Sequence, residues 1–179
     1  MMLIFQKKSI PKILLRFARN FAHDGDRKMD QYKGKEKPWE FMKYEGVWQD
    51  EPIVYRFIEK GTGLHCLILR HPILGHLCGY VSVPEDYRFY GKDHHDSIFE
   101  TIEIHWGLTY SGDLKDHGVG SHSKEFYLGF DCAHCDDFVP SLWSLTKIGE
   151  ISNYKTIDYV KAQCINLAKQ LFDLNQNIN

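Results

Sequence analysis

Within seven residues, Asp131, Cys132, His134, Cys135, Asp136 and Asp137 end an alternating apolar run that starts near Tyr127. Ionisable groups at such density must be paired or neutralised wherever they leave water, so the cluster marks a place where protons, metals or nucleophiles are handled. Cys132 and Cys135 form one metal-type pair, but a closed zinc site needs four ligands, usually as two separated pairs, and no second pair exists. Asp131, His134 and Asp137 are therefore candidate ligands of an open metal site, with His105 or His76 able to complete it. A redox Cys-x-x-Cys is disfavoured, because Asp136 and Asp137 oppose thiolate formation. Cys132 with His105 and either Asp131 or Glu103 supplies the residue types of a nucleophile, base and orienter. The parity of Cys132 with Leu128 and Phe130 instead aims it at the core. His105, Asp131 and His134 form the candidate catalytic set for acid–base chemistry, with Asp131 as orienter.

Strands must position these groups. Ile53–Glu59 and Leu64–Arg70 flank Lys60, Gly61, Thr62 and Gly63, the signature of a hairpin. His76–Val83 predicts a third strand, closed by Pro84; Phe99–Leu108 predicts a fourth and Lys124–Cys132 a fifth. Strand parity places Glu103 and His105 opposite Ile102 and Ile104, and Glu125, Tyr127 and Asp131 opposite Phe126, Leu128 and Phe130. His76, Cys78, Tyr80 and Ser82 share a third such row. With these three strands adjacent, Glu103, His105, Tyr127, Asp131, His76 and Tyr80 form one polar, aromatic surface. A plain solvated sheet face is the competing reading. The ligand-binding candidates are His76, Tyr80, Glu103, Thr109, Tyr110 and Tyr127; Thr109–Gly112 can also offer backbone amides to an anion.

Tyr154–Leu174 carries Ile157, Val160, Cys164, Leu167, Ala168 and Leu171 at helical spacing. The expected fold class is α+β: a mainly antiparallel sheet of about five strands packed against a long C-terminal amphipathic helix. Asp86–Ser97 and Ser111–Ser123 are expected as polar loops, and the His94-His95 pair as a solvated one. Residues 30–40 read as a polar lead-in. Seven of the 22 basic and two of the 24 acidic residues fall within 1–28, so that stretch carries +5 and the remainder −7. The predicted organisation is a basic amphipathic extension, 1–28, before a single α+β domain, 29–179. The extension suits a membrane surface or a transit-like role, and translation from Met29 would omit it. An acidic body without a basic stripe argues against duplex nucleic acid as a partner. Five cysteines in a chain without a cleavable secretory signal imply free thiols in a reducing cytoplasm.

Three segments carry a resemblance. They are Gly75-His76-Leu77-Cys78-Gly79-Tyr80-Val81 with Val83-Pro84, His105-Trp106-Gly107-Leu108-Thr109-Tyr110-Ser111-Gly112, and Gly129-Phe130-Asp131-Cys132-Ala133-His134 with Asp137. Together they resemble a family of short, uncharacterised phage and bacterial proteins over roughly Trp48 to Leu171. Relatives usually read His-Gly-Gly-Leu-Thr in the second segment, so Trp106 departs from the pattern. The position of Cys135 is usually small and not cysteine, which makes that thiol incidental. The resemblance implies a phage or bacterial cytoplasmic setting and groups His105, Asp131 and His134; it brings no activity.

Two functions follow as expectations. The first is a small-ligand-binding protein that sequesters a nucleotide-like signalling molecule, or blocks a host defence protein, and requires no cofactor. The alternative is a hydrolase acting on a phosphate or amide bond, with His105 or His134 as acid/base and zinc as its candidate metal. A second copy of the chain is a further candidate partner.

Overall fold

Alternating apolar residues between short glycine turns build one antiparallel sheet, and an amphipathic helix covers one of its faces. The computed structural model describes residues 31–32, 45–114, 125–142 and 153–177. The expected extension, 1–28, lies outside them, as do residues 115–123 of the second expected loop. The strands are β1 (Gln31–Tyr32), β2 (Val54–Ile58), β3 (His65–Arg70), β4 (Leu77–Val83), β5 (Tyr110–Gly112) and β6 (Phe126–Asp131), followed by helix α1 (Ile157–Gln176). The sheet order is β1-β2-β3-β4-β6-β5, with every neighbouring pair antiparallel. The α+β class and the long C-terminal helix on the sheet are as expected. β1 was not foreseen: Gln31 and Tyr32 of the polar lead-in pair with Tyr55 and Val54.

The β2–β3 hairpin closes where Glu59 N–H donates to the Leu64 carbonyl (2.9 Å) and Gly63, at φ 74°, donates to the Glu59 carbonyl (2.8 Å). On one sheet face Cys66, Ile68, Leu77, Val81, Leu128, Phe130 and Cys132 meet Val160, Cys164, Leu167, Ala168 and Leu171 of α1, all buried. Each large apolar side chain so buried stabilises the fold by roughly 1.5–3 kcal/mol relative to exposure. The helix packs tightly over Gly79, where an added Cβ would lie 2.7 Å from the Cys164 sulfur.

Three expectations fail here. Phe99–Leu108 is not a strand. Ser97–Phe99 is a 3₁₀ turn whose Asp96 side chain accepts from Ile98 N–H (3.0 Å), and the chain beyond it is irregular until β5. Ser111 and Gly112, expected at the start of the Ser111–Ser123 loop, instead join Tyr110 in the edge strand beside β6. The shared polar surface also fails. Tyr80, Tyr127 and Cys78 do lie on one face, but that face is a second buried cluster with Leu67, Leu69 and Leu114. The sheet is covered on both sides, and His105 and Glu103 belong to the helix side.

A buried ion pair pins the start of α1. Arg70, whose side chain is fully buried, donates to Glu51 Oε2 (2.8 Å), the Gly75 carbonyl (2.7 Å) and the Tyr154 hydroxyl (2.8 Å). The other Glu51 oxygen accepts the Ile157 amide (2.7 Å), an orphan donor of the first helical turn. A carboxylate there also meets the positive end of the helix dipole.

Candidate functional site

Glutamine and asparagine side chains on one stripe of α1 hold the segment before β5. Gln163 Oε1 accepts from the His105 amide (2.9 Å) and Gln170 Oε1 from the Glu103 amide (2.8 Å). Asn166 and Gln170 both donate to the Glu103 carbonyl (2.9 Å each). These bonds take the place of a strand ladder, which is why extended-looking residues 102–106 never join the sheet. A turn follows, closed by Gly107 N–H to the Ile104 carbonyl (3.1 Å). His105 is its second residue. Its third, Trp106, has φ 53°, where a type II turn ordinarily takes glycine, and the strain there is about 1–2 kcal/mol. The expected strand parity of His105 therefore has no meaning in the folded chain.

The other half of the site is the turn after β6. Asp131 accepts from the Ala133 amide (3.0 Å), the Asp137 amide donates to the His134 carbonyl (3.0 Å), and Asp137 Oδ2 accepts from the His134 amide (3.0 Å). Phe138, stacked on buried Trp48 at 5.2 Å, anchors the far end.

Asp137 is the centre of the arrangement. Its side chain is 1% exposed, and Oδ2 lies 2.8 Å from His105 Nε2 and 3.5 Å from His134 Nδ1. Lys155 Nζ stands 3.6 Å from Oδ1. The carboxylate requires the His105 proton on Nε2, which leaves Nδ1 to accept from the Tyr159 hydroxyl (2.9 Å). Burial works to raise the Asp137 carboxyl. The hydrogen bonds from His105 and the His134 amide, with the nearby positive charge, outweigh it and hold the group below the usual carboxylate value. Two polar atoms of the cluster are buried without a hydrogen bond: His134 Nδ1, and Asp137 Oδ1, whose nearest charge is the Lys155 ammonium. One donor atom from each of His105, His134 and Asp137 falls within 4.8 Å of the others. Trp106 stacks on His134 at 5.4 Å and 14°, and is 58% exposed.

The structure thus brings together His105, His134 and Asp137. Asp131 is peripheral: its Oδ1 is 4.0 Å from His134 Nδ1 and serves the Ala133 amide, so Asp137, not Asp131, orients the histidines. His76 is buried beside His71, their rings 4.8 Å apart, and burial followed by the His71 charge pushes its pKa well down. Tyr80 is buried edge-on to Tyr110 (5.3 Å) in the second core cluster. The Tyr110 hydroxyl donates to the Asp113 carbonyl (2.7 Å), and the buried Tyr127 hydroxyl donates to Glu125. Glu103 is exposed, and Thr109 spends its amide on the Gly129 carbonyl (2.9 Å), which removes it from the expected anion loop. None of these six contributes a donor atom to the His105–His134–Asp137 cluster, although His76 lies near enough to feel the Asp131 and Asp137 charges. Cys132 is buried and its thiol is driven up by burial, which disposes of it as a nucleophile; Cys135 is exposed and unbridged. Asp93, His94 and His95 form a second, mostly exposed group of potential ligands on the Asp86–Ser97 loop.

Lys155, Tyr159 and Gln163 escaped the sequence reading. Tyr159 and Gln163, four apart, share one face of the C-terminal helix, and that polar stripe was the available signal; Lys155 precedes the Thr156 cap of that helix. Among the described residues no helix is long and apolar enough to cross a membrane. Comparison with protein-family models, curated proteins and solved structures finds no match to this chain.

Proposed function

We propose that the chain is a metal-dependent hydrolase of phosphate esters, its divalent cation held by His105, His134 and Asp137. The observation that carries this reading is the convergence of donor atoms from His105, His134 and Asp137 within 4.8 Å of one another, with His134 Nδ1 buried and without a hydrogen bond. A cation held among them would satisfy that nitrogen and the carboxylate together. Zinc–nitrogen bonds of about 2.0–2.1 Å imply ligand–ligand edges of roughly 3.3 Å. The His134–Asp137 separation of 3.5 Å fits such an edge, and the His105–Asp137 hydrogen bond of 2.8 Å has to open by roughly half an ångström.

Three protein ligands leave a position for water, the pattern of a catalytic and not a structural site. A cation there supplies Lewis acidity to a phosphoryl oxygen. With Nε2 on a metal, the His105 proton would stand on Nδ1 and donate to the Tyr159 hydroxyl, the outer contact that metal-ligating histidines ordinarily make. Lys155 provides positive charge for an anionic substrate, and its tie to Asp137 is a contact it can exchange. The tyrosine-lined face offered for nucleotide capture is buried, which shifts the balance from sequestration to hydrolysis.

Elemental analysis of purified protein, followed by an assay with 4-nitrophenyl phosphate, tests the reading. The expected result is about one zinc, manganese or iron per chain and turnover that chelation abolishes. His134→Ala loses both. Metal-free protein with no turnover after metal addition refutes it. A second reading rests on the 2.8 Å His105–Asp137 bond and the Tyr159 contact: a metal-free acid–base centre. It requires turnover that survives chelation.

A further inference from the structure

We infer that Trp106 is a binding platform for a planar ring, and that the ligand of this site is a ring-bearing anion of the nucleoside monophosphate class. This rests on the His105–His134–Asp137 cluster being the working site, and it adds the ligand that the site selects.

Trp106 occupies a turn position that favours glycine, at φ 53°, next to Gly107 at φ 88°. A bulky residue held in that conformation is an outlier that points to use. One face of the indole lies against the His134 ring, nearly parallel at 14°. With 58% of the residue still exposed, the opposite face is open to solvent. An indole held rigid from one side and open on the other needs no ordering before a second ring stacks on it, so little rotamer freedom is lost on binding. Base-on-aromatic stacking tolerates any base, because each has a π-face. Lys155 and the cation proposed for the cluster supply the positive charge that favours an anion for the rest of the ligand. Lys155 Nζ lies 3.6 Å from Asp137 Oδ1, and Asp137 Oδ2 lies 3.5 Å from Nδ1 of His134, the ring on which Trp106 stacks. A ligand stacked on the indole therefore extends its phosphate toward the cluster. Glycine at position 106 would relieve the backbone and leave no platform.

Calorimetric titration of the purified chain with adenosine monophosphate and, separately, ribose 5-phosphate tests this. The two probes share the phosphate and sugar and differ in the ring. The wild type should bind adenosine monophosphate about tenfold or more tightly. Trp106→Phe should keep most of that preference. Trp106→Gly should abolish it, bringing both probes to the ribose 5-phosphate affinity, with a thermal midpoint equal to or above that of the wild type. Equal affinities in the wild type, no binding of either probe at millimolar concentration, or a preference that survives Trp106→Gly overturns the inference. Metal content measured on the same samples separates the two proposals. A preference for the ring in a chain that takes up no metal refutes only the metal centre; a metal-loaded chain without the preference refutes only the platform.

Discussion

Replacing Asp137 with Asn tests the centre of the site, because it preserves shape and removes charge. In the metal-free protein the carboxylate accepts from His105 Nε2 at 2.8 Å and from the His134 amide at 3.0 Å. The amide oxygen of Asn can keep both contacts. Each then passes from a charge-assisted bond, worth roughly 1.5–3 kcal/mol, to a neutral one of roughly 0.5–1.5 kcal/mol. Lys155 is partly solvated, so its loss of a partner adds at most about 1 kcal/mol. Relief from burying a carboxylate offsets part of the sum. The net expectation is a loss of about 1–2 kcal/mol, read as a lower midpoint in urea at pH 7.5 with chelator present. Zinc gives the second reading. At a free concentration one hundred times its dissociation constant, the wild type should gain about 2.7 kcal/mol. A ligand loss that weakens zinc a hundredfold leaves Asp137→Asn a gain of roughly 0.4 kcal/mol at the same concentration. Equal midpoints in chelator together with equal gains in zinc would show that Asp137 neither pins the two histidines nor binds metal.

Lys155→Ala removes the cation beside Asp137 Oδ1 and should tighten zinc binding severalfold by calorimetry while weakening a phosphate-bearing substrate, seen as a raised KM. Weaker zinc binding would contradict the competition between lysine and metal. Gly79→Ala places a methyl group against Cys164 and Phe130 between helix and sheet; a loss of about 1–3 kcal/mol in urea unfolding is expected, and an unchanged midpoint would show that the layer gives way. His76 is pushed by burial from 6.5 to about 3, so the folded state excludes a proton that the unfolded state accepts. Its contribution is complete above pH 6.5 and is lost as pH falls toward 3, at up to about 1.4 kcal/mol per pH unit. His76→Phe should flatten that fall between pH 6.5 and 5 in urea titrations; an unaltered slope would assign the acid sensitivity elsewhere.

What could be read from the chain divides by the kind of partner each backbone group finds. The stripe of Val160, Cys164, Leu167, Ala168 and Leu171 is set by helical period, and strands β2, β3, β4 and β6 by alternation and glycine turns, so local pattern suffices for them. Residues 102–106 alternate just as well, yet their backbone bonds run to Gln163, Asn166 and Gln170, more than fifty positions away. No local pattern reports a ladder made of side chains, and the false strand carried His105 to the wrong face. Pairing at a distance decided the carboxylate too. Asp131 ends a strand, and its side chain caps its own turn through Ala133; Asp137, six residues on, folds back under His134 and reaches His105. Both were visible as candidates, and only the turn geometry ranks them. Trp106 is the converse case. Only the family resemblance implied glycine here, and the structure adds its own reason for glycine, a turn position at φ 53°. The strained turn at Trp106 and the unbonded His134 nitrogen lie together, and there the local rules break in a fold otherwise consistent with its sequence pattern.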